Sequence, residues 1–283
     1  MEKKITKKIV VFYDGADCPD GFSGAWAAWK KFGDKAKYIK AFHFIPAPNL
    51  KYKEIYMIDF TYPEEVVRKM IKENKSVTSL DHHAPAEKTI ILTKNYSYST
   101  NHSGCVLAWR HFFPKKPIPA LLKYVESGDL WRFNFPYAKE ILMYLRFFDF
   151  DFKIWDKLAE ELDNSQKRKE CVKKGSTLLF YEDKIIKDII KTHGELVVFE
   201  GRKILAVNSP RMFRSKIGML VAKKMPPFGI VWSRKSGKIP VSLRSIGKFD
   251  VSKIAQKFGG TGHKNAAGFT LNGDEKFPWK YLK

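Results

Sequence analysis

The stretch Leu80-Asp81-His82-His83-Ala84-Pro85 closes a short apolar run, so that a carboxylate and two imidazoles follow a predicted β-strand. Asp and His are common metal ligands, and an open α/β sheet presents its functional groups at the carboxyl ends of its strands. A solvated polar loop would explain this tripeptide equally well if it stood alone. The residues that follow the other predicted strands decide between the two interpretations.

Acidic residues follow two other predicted strands and one predicted helix of the N-terminal half. They are Asp14, Asp17, Asp20, Asp59 and Asp129. Carboxylates and imidazoles contributed by several separate strands are what a two-metal hydrolytic site requires. Because this set contains hard oxygen and imidazole ligands and no thiolate, we expect two divalent ions, Mn²⁺ with Mg²⁺ as the alternative, rather than a structural Zn²⁺.

The composition favours an anionic substrate. The 283 residues include 52 Lys+Arg against 30 Asp+Glu, a net charge of +22, which suits a polyanion such as nucleic acid. The lysines are spread along the chain instead of forming a tail, so the charge does not select one substrate. A hydrophobic content of 44% excludes global disorder, and the length allows two ordinary domains.

The three cysteines, Cys18, Cys105 and Cys171, lack the spacing of a disulfide framework or a zinc knuckle. Reduced thiols are typical of intracellular proteins. The apolar run after the basic N-terminus is too short for a signal peptide, and no run approaches the length of a membrane span. We therefore expect a soluble cytoplasmic protein without a membrane partner, either a monomer or a homodimer.

Strands and helices alternate in the N-terminal half, which predicts a doubly wound parallel α/β domain over residues 1–163. A charged segment without proline, with apolar residues at helical spacing, predicts a linker helix over 164–194. Strands are predicted over 8–14, 38–44, 54–59 and 76–80, and helices over 22–31, 63–73, 103–113, 119–126 and 138–147.

The C-terminal part has a different pattern, which predicts a small α+β domain over 195–283. Hairpins are predicted over 196–208 and 228–245, and helices over 211–224 and 250–257. The glycine-rich run Gly259-Gly260-Thr261-Gly262-His263-Lys264 could bring backbone N–H groups close to an anion, with added donors from its last two residues. Arg244, on a neighbouring strand, is a second phosphate candidate. Taken singly, the run could be an ordinary turn and the arginine a solvated strand residue.

Together these motifs resemble the DHH/DHHA1 phosphoesterase superfamily over essentially the whole chain. The resemblance rests on the 81–83 triplet, the loop at 17–22 (DCPDGF), Asp59 and the run at 259–269. The loop and Gly128-Asp129-Leu130-Trp131 are most similar to its nanoRNase (oligoribonuclease) and cyclic-nucleotide phosphodiesterase subgroup. The resemblance implies a DHH catalytic domain joined by a long helix to a smaller DHHA1 substrate-binding domain, with the active site in the interdomain cleft.

The resemblance also implies roles for individual residues. Asp17 would ligate one metal ion and Asp20 the other, and Asp59 would bridge them. His82 and Asp129 would complete the shell of the second ion. His83 would lie near the scissile phosphate, and Asp81 would orient a histidine. A substrate phosphate would be held by Arg244, Gly260, Gly262, His263 and Lys264. Asp14 stands where most of the superfamily has a metal-ligating histidine, which would add negative charge to the first metal site.

Aromatic residues provide candidates for base stacking, which grips single strands without reading sequence. These candidates are Trp131, Phe133, Trp232 and His102, and Trp131 is favoured because it follows Asp129 closely. Tryptophans at helical spacing with other apolar residues are expected to pack in the core instead. These are Trp26, Trp29 and Trp109.

The leading hypothesis is a metal-dependent phosphodiesterase, a 3′–5′ exoribonuclease that hydrolyses short RNA oligonucleotides to mononucleotides with a water activated by two metal ions. Hydrolysis of a cyclic mononucleotide, or of a cyclic or linear dinucleotide, by the same site is the alternative. If Asp14 prevents metal binding at the first site, the protein would be a nucleotide-binding module without enzymatic activity. A general RNA-binding protein would instead bind longer RNA more tightly, with a steep salt dependence.

Overall fold

The computed structural model describes residues 5–15, 18–42 and 45–282. The chain divides into two compact units, one ending at Leu179 and the other beginning at Phe180. Each unit contains its own β-sheet. Among the described residues, no helix is both long enough and apolar enough to cross a membrane.

The sheet of the first unit has five strands, and every neighbouring pair is parallel. The strands are β1 (Ile9–Asp14), β2 (Ala36–Ala41), β3 (Glu54–Ile58), β4 (Ser76–Asp81) and β5 (Asn95–Tyr98). Their order across the sheet is β2-β1-β3-β4-β5, so the direction of winding reverses between β1 and β3. Ligands of open α/β sheets bind outside the carboxyl ends of the strands at such a reversal.

Both faces of this sheet are covered. Val11 and Tyr13 of β1 belong to one hydrophobic core, whereas Val10 and Phe12 belong to another, as the two-residue period of a strand requires. A strand buried on both faces has a continuous apolar sequence, which explains the sequence of β1.

The helices that begin in the first unit are α1 (Pro19–Phe32), α2 (Glu64–Glu73), α3 (Glu87–Ile90), α4 (Gly104–Phe112), α5 (Ala120–Asp129), α6 (Ala138–Leu145), α7 (Phe152–Asp163) and α8 (Ser165–His193). Helix α8 extends beyond the unit boundary at Leu179.

The second unit is built on a seven-stranded sheet. Its strands are β6 (Gly194–Phe199), β7 (Arg202–Asn208), β8 (Phe228–Trp232), β9 (Lys238–Ser245), β10 (Thr261–His263), β11 (Ala266–Asn272) and β12 (Lys280–Tyr281), and its further helices are α9 (Arg214–Lys224) and α10 (Ser252–Lys257). The order is β10-β11-β9-β8-β7-β6-β12. β7 and β8 pair in parallel, and the other neighbouring pairs are antiparallel.

The predicted fold class is confirmed, with a parallel α/β sheet followed by a smaller mixed α+β unit. The predicted helix over 164–194 corresponds to α8, and both predicted hairpins are present. The prediction missed β5, α7 and β11. Helix α7 did have a local signal, because the side chain of Asp151 caps its first turn by accepting hydrogen bonds from the N–H groups of Lys153 and Ile154.

The tryptophans expected in the core are found there. Trp26 and Trp109 stack at 5.6 Å between ring centroids, and Trp29 is partly buried against Phe152. Helix α7 supplies one more, because the indole N–H of Trp155 donates to Ser23 Oγ at 2.9 Å in a buried environment.

Replacing one buried isoleucine tests this core. Ile141→Ala on α6 removes a fully buried side chain and should lower the free energy of unfolding by about 2–5 kcal/mol. Ile71→Ala on α2 is the matched control, because Ile71 is 39% exposed and surface changes cost only about 0.5 kcal/mol. Urea unfolding of the full chain measures both values, and equal losses would contradict the assignment of Ile141 to the core.

Candidate metal centre

Two carboxylates mark the winding reversal of the first sheet. Asp14 is the last residue of β1, and Asp59 directly follows β3. Asp59 has a φ of 55°, a left-handed conformation that is uncommon outside glycine and is concentrated at functional sites. A Cβ atom on Gly104 would lie 2.9 Å from the Cα of Asp59, so only glycine fits at the start of α4 beside this carboxylate.

The two carboxylate oxygens of Asp59 face different neighbours. Oδ2 accepts a hydrogen bond from the Cys18 thiol at 3.4 Å, whereas Oδ1 lies 3.2 Å from His82 Nε2. Oδ1 and Nε2 are both buried, and neither has a hydrogen-bond partner among the described residues. Buried polar atoms are costly when unpaired, and a metal ion between such atoms would satisfy both. These atoms therefore fit a metal centre.

Three groups of possible metal ligands share residues around Asp59. Asp14, Cys18 and Asp59 have ligand atoms within 4.8 Å of one another, and so do Asp20, His82 and Asp129, and Asp59, His82 and His83. His82 Nε2 lies 3.5 Å from Asp129 Oδ2. Asp59 thus contacts Cys18 through Oδ2 and His82 through Oδ1, as expected of a carboxylate that bridges two metal ions.

Asp20 is fixed by the first turn of α4. It is 1% exposed, and it accepts hydrogen bonds from Ser103 Oγ (2.7 Å), Gly104 N (2.7 Å) and Cys105 N (3.0 Å). The positive end of the helix dipole also favours a carboxylate there. A carboxylate offers about four acceptor positions, and only one of these bonds reaches Oδ2. That oxygen, 4.0 Å from His82 Nε2, keeps a position for a metal ion.

Asp81 has a different function from the other carboxylates, because its oxygens are occupied by the protein. Oδ1 accepts from the backbone N–H groups of His82 and His83 and lies 2.8 Å from His83 Nδ1, and Oδ2 accepts from Thr61 Oγ1 at 2.6 Å. Burial acts to raise the pKa of Asp81, but the hydrogen bonds from His83 and Thr61 outweigh it, and the pKa is lowered. Asp81 therefore holds the backbone of both histidines and the ring of His83.

The pKa shifts describe a pocket crowded with carboxylates. Burial raises the pKa of Asp59 well above its usual value, and the neighbouring Asp20 raises it further. The same two causes raise the pKa of Asp129 to about 7. Burial lowers the pKa of His82, which favours the neutral imidazole that binds metals. The hydrogen bond to Asp81 raises the pKa of His83, whose side chain is 54% exposed. A divalent cation would relieve the carboxylate crowding.

Several residues of the centre were missed by the sequence analysis. Cys18 was predicted only to be a reduced thiol and not a metal ligand, although it lies in the same loop as the predicted metal ligands Asp17 and Asp20. Glu126 accepts from Ser103 N and contacts His102 Nδ1 at 3.1 Å, so it supports the start of α4. Ser103, Gly104 and Thr61 had no local signal, because their contacts are distant in sequence. Asp17 lies outside the described residues.

The predicted phosphate-binding residues belong to the second unit. His263 pairs with Ala266 of β11, and Ala266 pairs with Arg244 of β9, so all three side chains point to the same face of the sheet. Arg244 donates to Ser215 Oγ at 3.0 Å, and its pKa is lowered by burial and by the nearby Arg214. His263 and Lys264 are exposed.

The two predicted phosphate-binding glycines have a structural reason of their own. A Cβ on Gly260 would lie 2.2 Å from the carbonyl oxygen of Gly268, and one on Gly262 would lie 2.4 Å from the Cα of Ala267. Gly262 also has a φ of 146°. These glycines therefore allow the close approach of β10 and β11, and their contact with phosphate stays a prediction.

The predicted stacking residues divide into two environments. Trp131 is 71% exposed and packs edge-to-face on Phe133 at 5.1 Å, next to Asp129. Trp232, in contrast, packs against Phe277 at 4.7 Å beside the core of the second unit. The ring of Trp232 is thus in contact with protein side chains, and a stacking role for this residue stays a prediction.

Comparison with known proteins assigns the family. Residues 208–278 match the DHHA1 domain. The uncharacterized protein R106 of Acanthamoeba polyphaga mimivirus is 32% identical over 290 residues, which span 93% of this chain and 68% of that protein. The chain belongs to the DHH/DHHA1 phosphoesterase superfamily. Other enzymes of this superfamily are phosphoester hydrolases that depend on divalent metal ions.

A solved structure has the same fold as this DHH/DHHA1 protein. PggH of Vibrio cholerae, a pGpG-specific phosphodiesterase, matches with a TM-score of 0.54 over 94% of each chain, at 13% sequence identity. This similarity concerns the fold, whereas the DHHA1 match and the similarity to R106 confirm the predicted superfamily. The nanoRNase subgroup stays a prediction.

A threonine pair tests the support of the two histidines. Thr61→Val removes a donor to Asp81 and should weaken Mn²⁺ binding by up to about 10-fold, the lower end of the effect of losing an outer-shell partner, because Thr61 acts on the metal ligand His82 only through Asp81. Thr93→Val is the control, since Thr93 is also buried but donates to the backbone oxygen of Ile90.

Both threonine changes should cost about 1 kcal/mol of stability, because each removes a buried hydrogen bond. Isothermal titration of the full chain with Mn²⁺ measures the affinities. Equal Mn²⁺ affinities for the two variants would contradict the supporting role of Thr61.

Proposed function

We propose that this DHH/DHHA1 protein is a metal-dependent phosphodiesterase that trims short single-stranded RNA oligonucleotides from the 3′ end to mononucleotides. The observation that supports it most strongly is the position of Asp59, which directs one carboxylate oxygen toward each of two ligand groups. This arrangement suits in-line hydrolysis of a phosphodiester, where the attacking and leaving oxygens both need charge stabilisation.

The residues of the first unit would divide the work. Asp20, His82 and Asp129 would hold one ion together with Asp59, and this set of oxygen and imidazole ligands suits Mn²⁺. Asp14 and Asp59 would contribute to the site of the other ion. When bound, the two ions would supply an activated water and offset charge on the phosphate.

His83 is the candidate for contact with the reacting phosphate. Its side chain is half exposed, and the hydrogen bond at Nδ1 to Asp81 leaves Nε2 available for donation. A protonated imidazole held in this way would neutralise phosphate charge or protonate the leaving oxygen. Asp81 would keep the ring in the required orientation.

Substrate recognition would combine stacking with phosphate contacts. Trp131 presents an exposed ring beside Asp129, where a base next to the scissile phosphate could stack. In the second domain, Arg244, His263 and Lys264 would hold a substrate phosphate. The net charge of +22 would add a general attraction for a polyanion.

A linear dinucleotide is the second candidate substrate. The fold shared with PggH over 94% of each chain favours it, because that protein is a pGpG-specific phosphodiesterase. The two candidates use the same centre and differ in how far the substrate extends beyond the scissile bond. A nucleotide-binding module without turnover is the outcome if Asp14 prevents the first ion from binding.

A substrate panel tests the proposal. The full chain with Mn²⁺ is offered a 5′-phosphorylated dinucleotide, a five-mer RNA, a long RNA, cyclic AMP and a cyclic dinucleotide. We expect the two short linear substrates to be hydrolysed fastest, and Asp59→Asn to abolish this turnover, because Asp59 connects both ligand groups. Preference for the long RNA, or turnover that survives in Asp59→Asn, would contradict the proposal.

Exposed aromatic residues test the stacking role. Trp131→Ala should raise the KM for short RNA by about 5–150-fold, since stacking on one base contributes about 1–3 kcal/mol. Phe147→Ala is the matched control, because Phe147 is also 71% exposed. Steady-state kinetics should show little change for the control, and an unchanged KM for Trp131→Ala would exclude stacking on this ring.

A further inference from the structure

Cys18 stands at an unusual place for a cysteine. It is the N-cap residue of α1, a position where Ser, Thr, Asp or Asn normally accepts a hydrogen bond from the first turn. The Cys18 side chain makes no capping hydrogen bond, and its thiol is directed to Asp59 Oδ2 instead. The thiol therefore contacts the candidate metal centre from the start of α1.

The surroundings of Cys18 form a compact set of donors. Its sulfur lies within 4.8 Å of carboxylate oxygens of Asp14 and Asp59. Asp59 is only 3% exposed, and its other oxygen is buried without a hydrogen-bond partner among the described residues.

We propose that Cys18 is a ligand of the first metal site, together with Asp14 and Asp59, and that this site selects a thiophilic ion such as Zn²⁺. The second site would keep its preference for a harder ion. The two ions of the centre would then differ in kind. This inference rests on the metal centre of the proposed function, and it replaces the expectation that no thiolate belongs to the ligand set.

The chemistry of the donors supports this selectivity. Soft thiolate ligands favour Zn²⁺ over Mg²⁺ and Mn²⁺, which prefer carboxylates and water. On binding, the S–H bond of Cys18 breaks and a sulfur–metal bond forms. The proton leaves to solvent, and no group is oxidised or reduced.

The other cysteines differ from Cys18 in their contacts. The sulfur of Cys105 lies near Ser103 Oγ and the backbone oxygen of Leu122, and that of Cys171 lies near Glu161. Neither belongs to the groups of possible metal ligands found among the described residues. Cys171 on α8 therefore offers a matched control with the same substitution outside the centre.

Cobalt substitution provides a readout that does not depend on activity. The metal-free full chain is titrated with Co²⁺, which gives a near-ultraviolet thiolate-to-cobalt charge-transfer band only when sulfur is a ligand. Visible d–d bands report cobalt bound by any ligands. We expect the charge-transfer band in the native chain and in Cys171→Ser, and its loss in Cys18→Ser. Serine is a favoured N-cap residue, so Cys18→Ser should fold normally.

A second variant tests the selectivity. Cys18→Asp replaces the soft sulfur ligand with a hard carboxylate and should weaken Zn²⁺ binding. The loss should be no smaller than the roughly 10–100-fold that follows removal of an outer-shell partner, because Cys18 would bind the metal directly. Mn²⁺ binding at the first site should strengthen. Competition between Zn²⁺ and Mn²⁺, followed by calorimetry, measures this change, and unchanged preference would overturn the inference.

The outcomes separate this inference from the proposed function. Two bound Co²⁺ ions without a charge-transfer band in the native chain would overturn the role of Cys18 and leave the two-metal centre intact. A charge-transfer band that persists in Cys18→Ser would assign the sulfur to another cysteine and also overturn it. A folded native chain that binds neither Co²⁺ nor Mn²⁺ would overturn the metal centre and the inference together.

Discussion

The crowding of buried carboxylates at the carboxyl ends of β1, β3 and β4 is the constraint on which the rest of the site depends. Asp20 and Asp59 are almost fully buried within a few ångströms of His82. Separate charges of one sign cannot share such a space without compensation. The protein stabilises Asp20 with the start of α4 and uses Asp81 to hold the backbone of the histidines. Asp59 Oδ1 has no hydrogen-bond partner among the described residues, so a cation would supply the remaining compensation.

The parts of this arrangement that could be predicted from the sequence are those with a local pattern. Continuous apolar runs ending in Asp14 or Asp59 indicated parallel strands and the end of the sheet that carries the site. The spacing of apolar residues also predicted α8. In contrast, β11 contains Ala266, Ala267 and Gly268, which have little intrinsic preference for a strand, and its pairing with β9 determines its conformation.

Contacts between distant segments account for what the sequence could not provide. Thr61 bonds Asp81 from 20 residues away, and Ser103 bonds Asp20 from 83 residues away. No periodicity encodes such pairs. Cys18 had a signal in its position inside the ligand loop, but a single thiol without a second cysteine at metal-binding spacing favours a structural interpretation. Only the three-dimensional neighbourhood, with Asp14 and Asp59 beside it, distinguishes a candidate ligand from a buried thiol.

The segment around the exposed aromatic ring of Trp131 has a thermodynamic consequence for binding. Trp131, Phe133 and Tyr137 all adopt a left-handed backbone conformation, at a cost of about 1–3 kcal/mol each for residues other than glycine. Backbone hydrogen bonds from Trp131 and Phe133 to the end of α5 fix the segment in that shape. Its conformational entropy is therefore lost during folding, so a nucleobase that stacks there would meet a preorganised surface and lose less affinity to ordering.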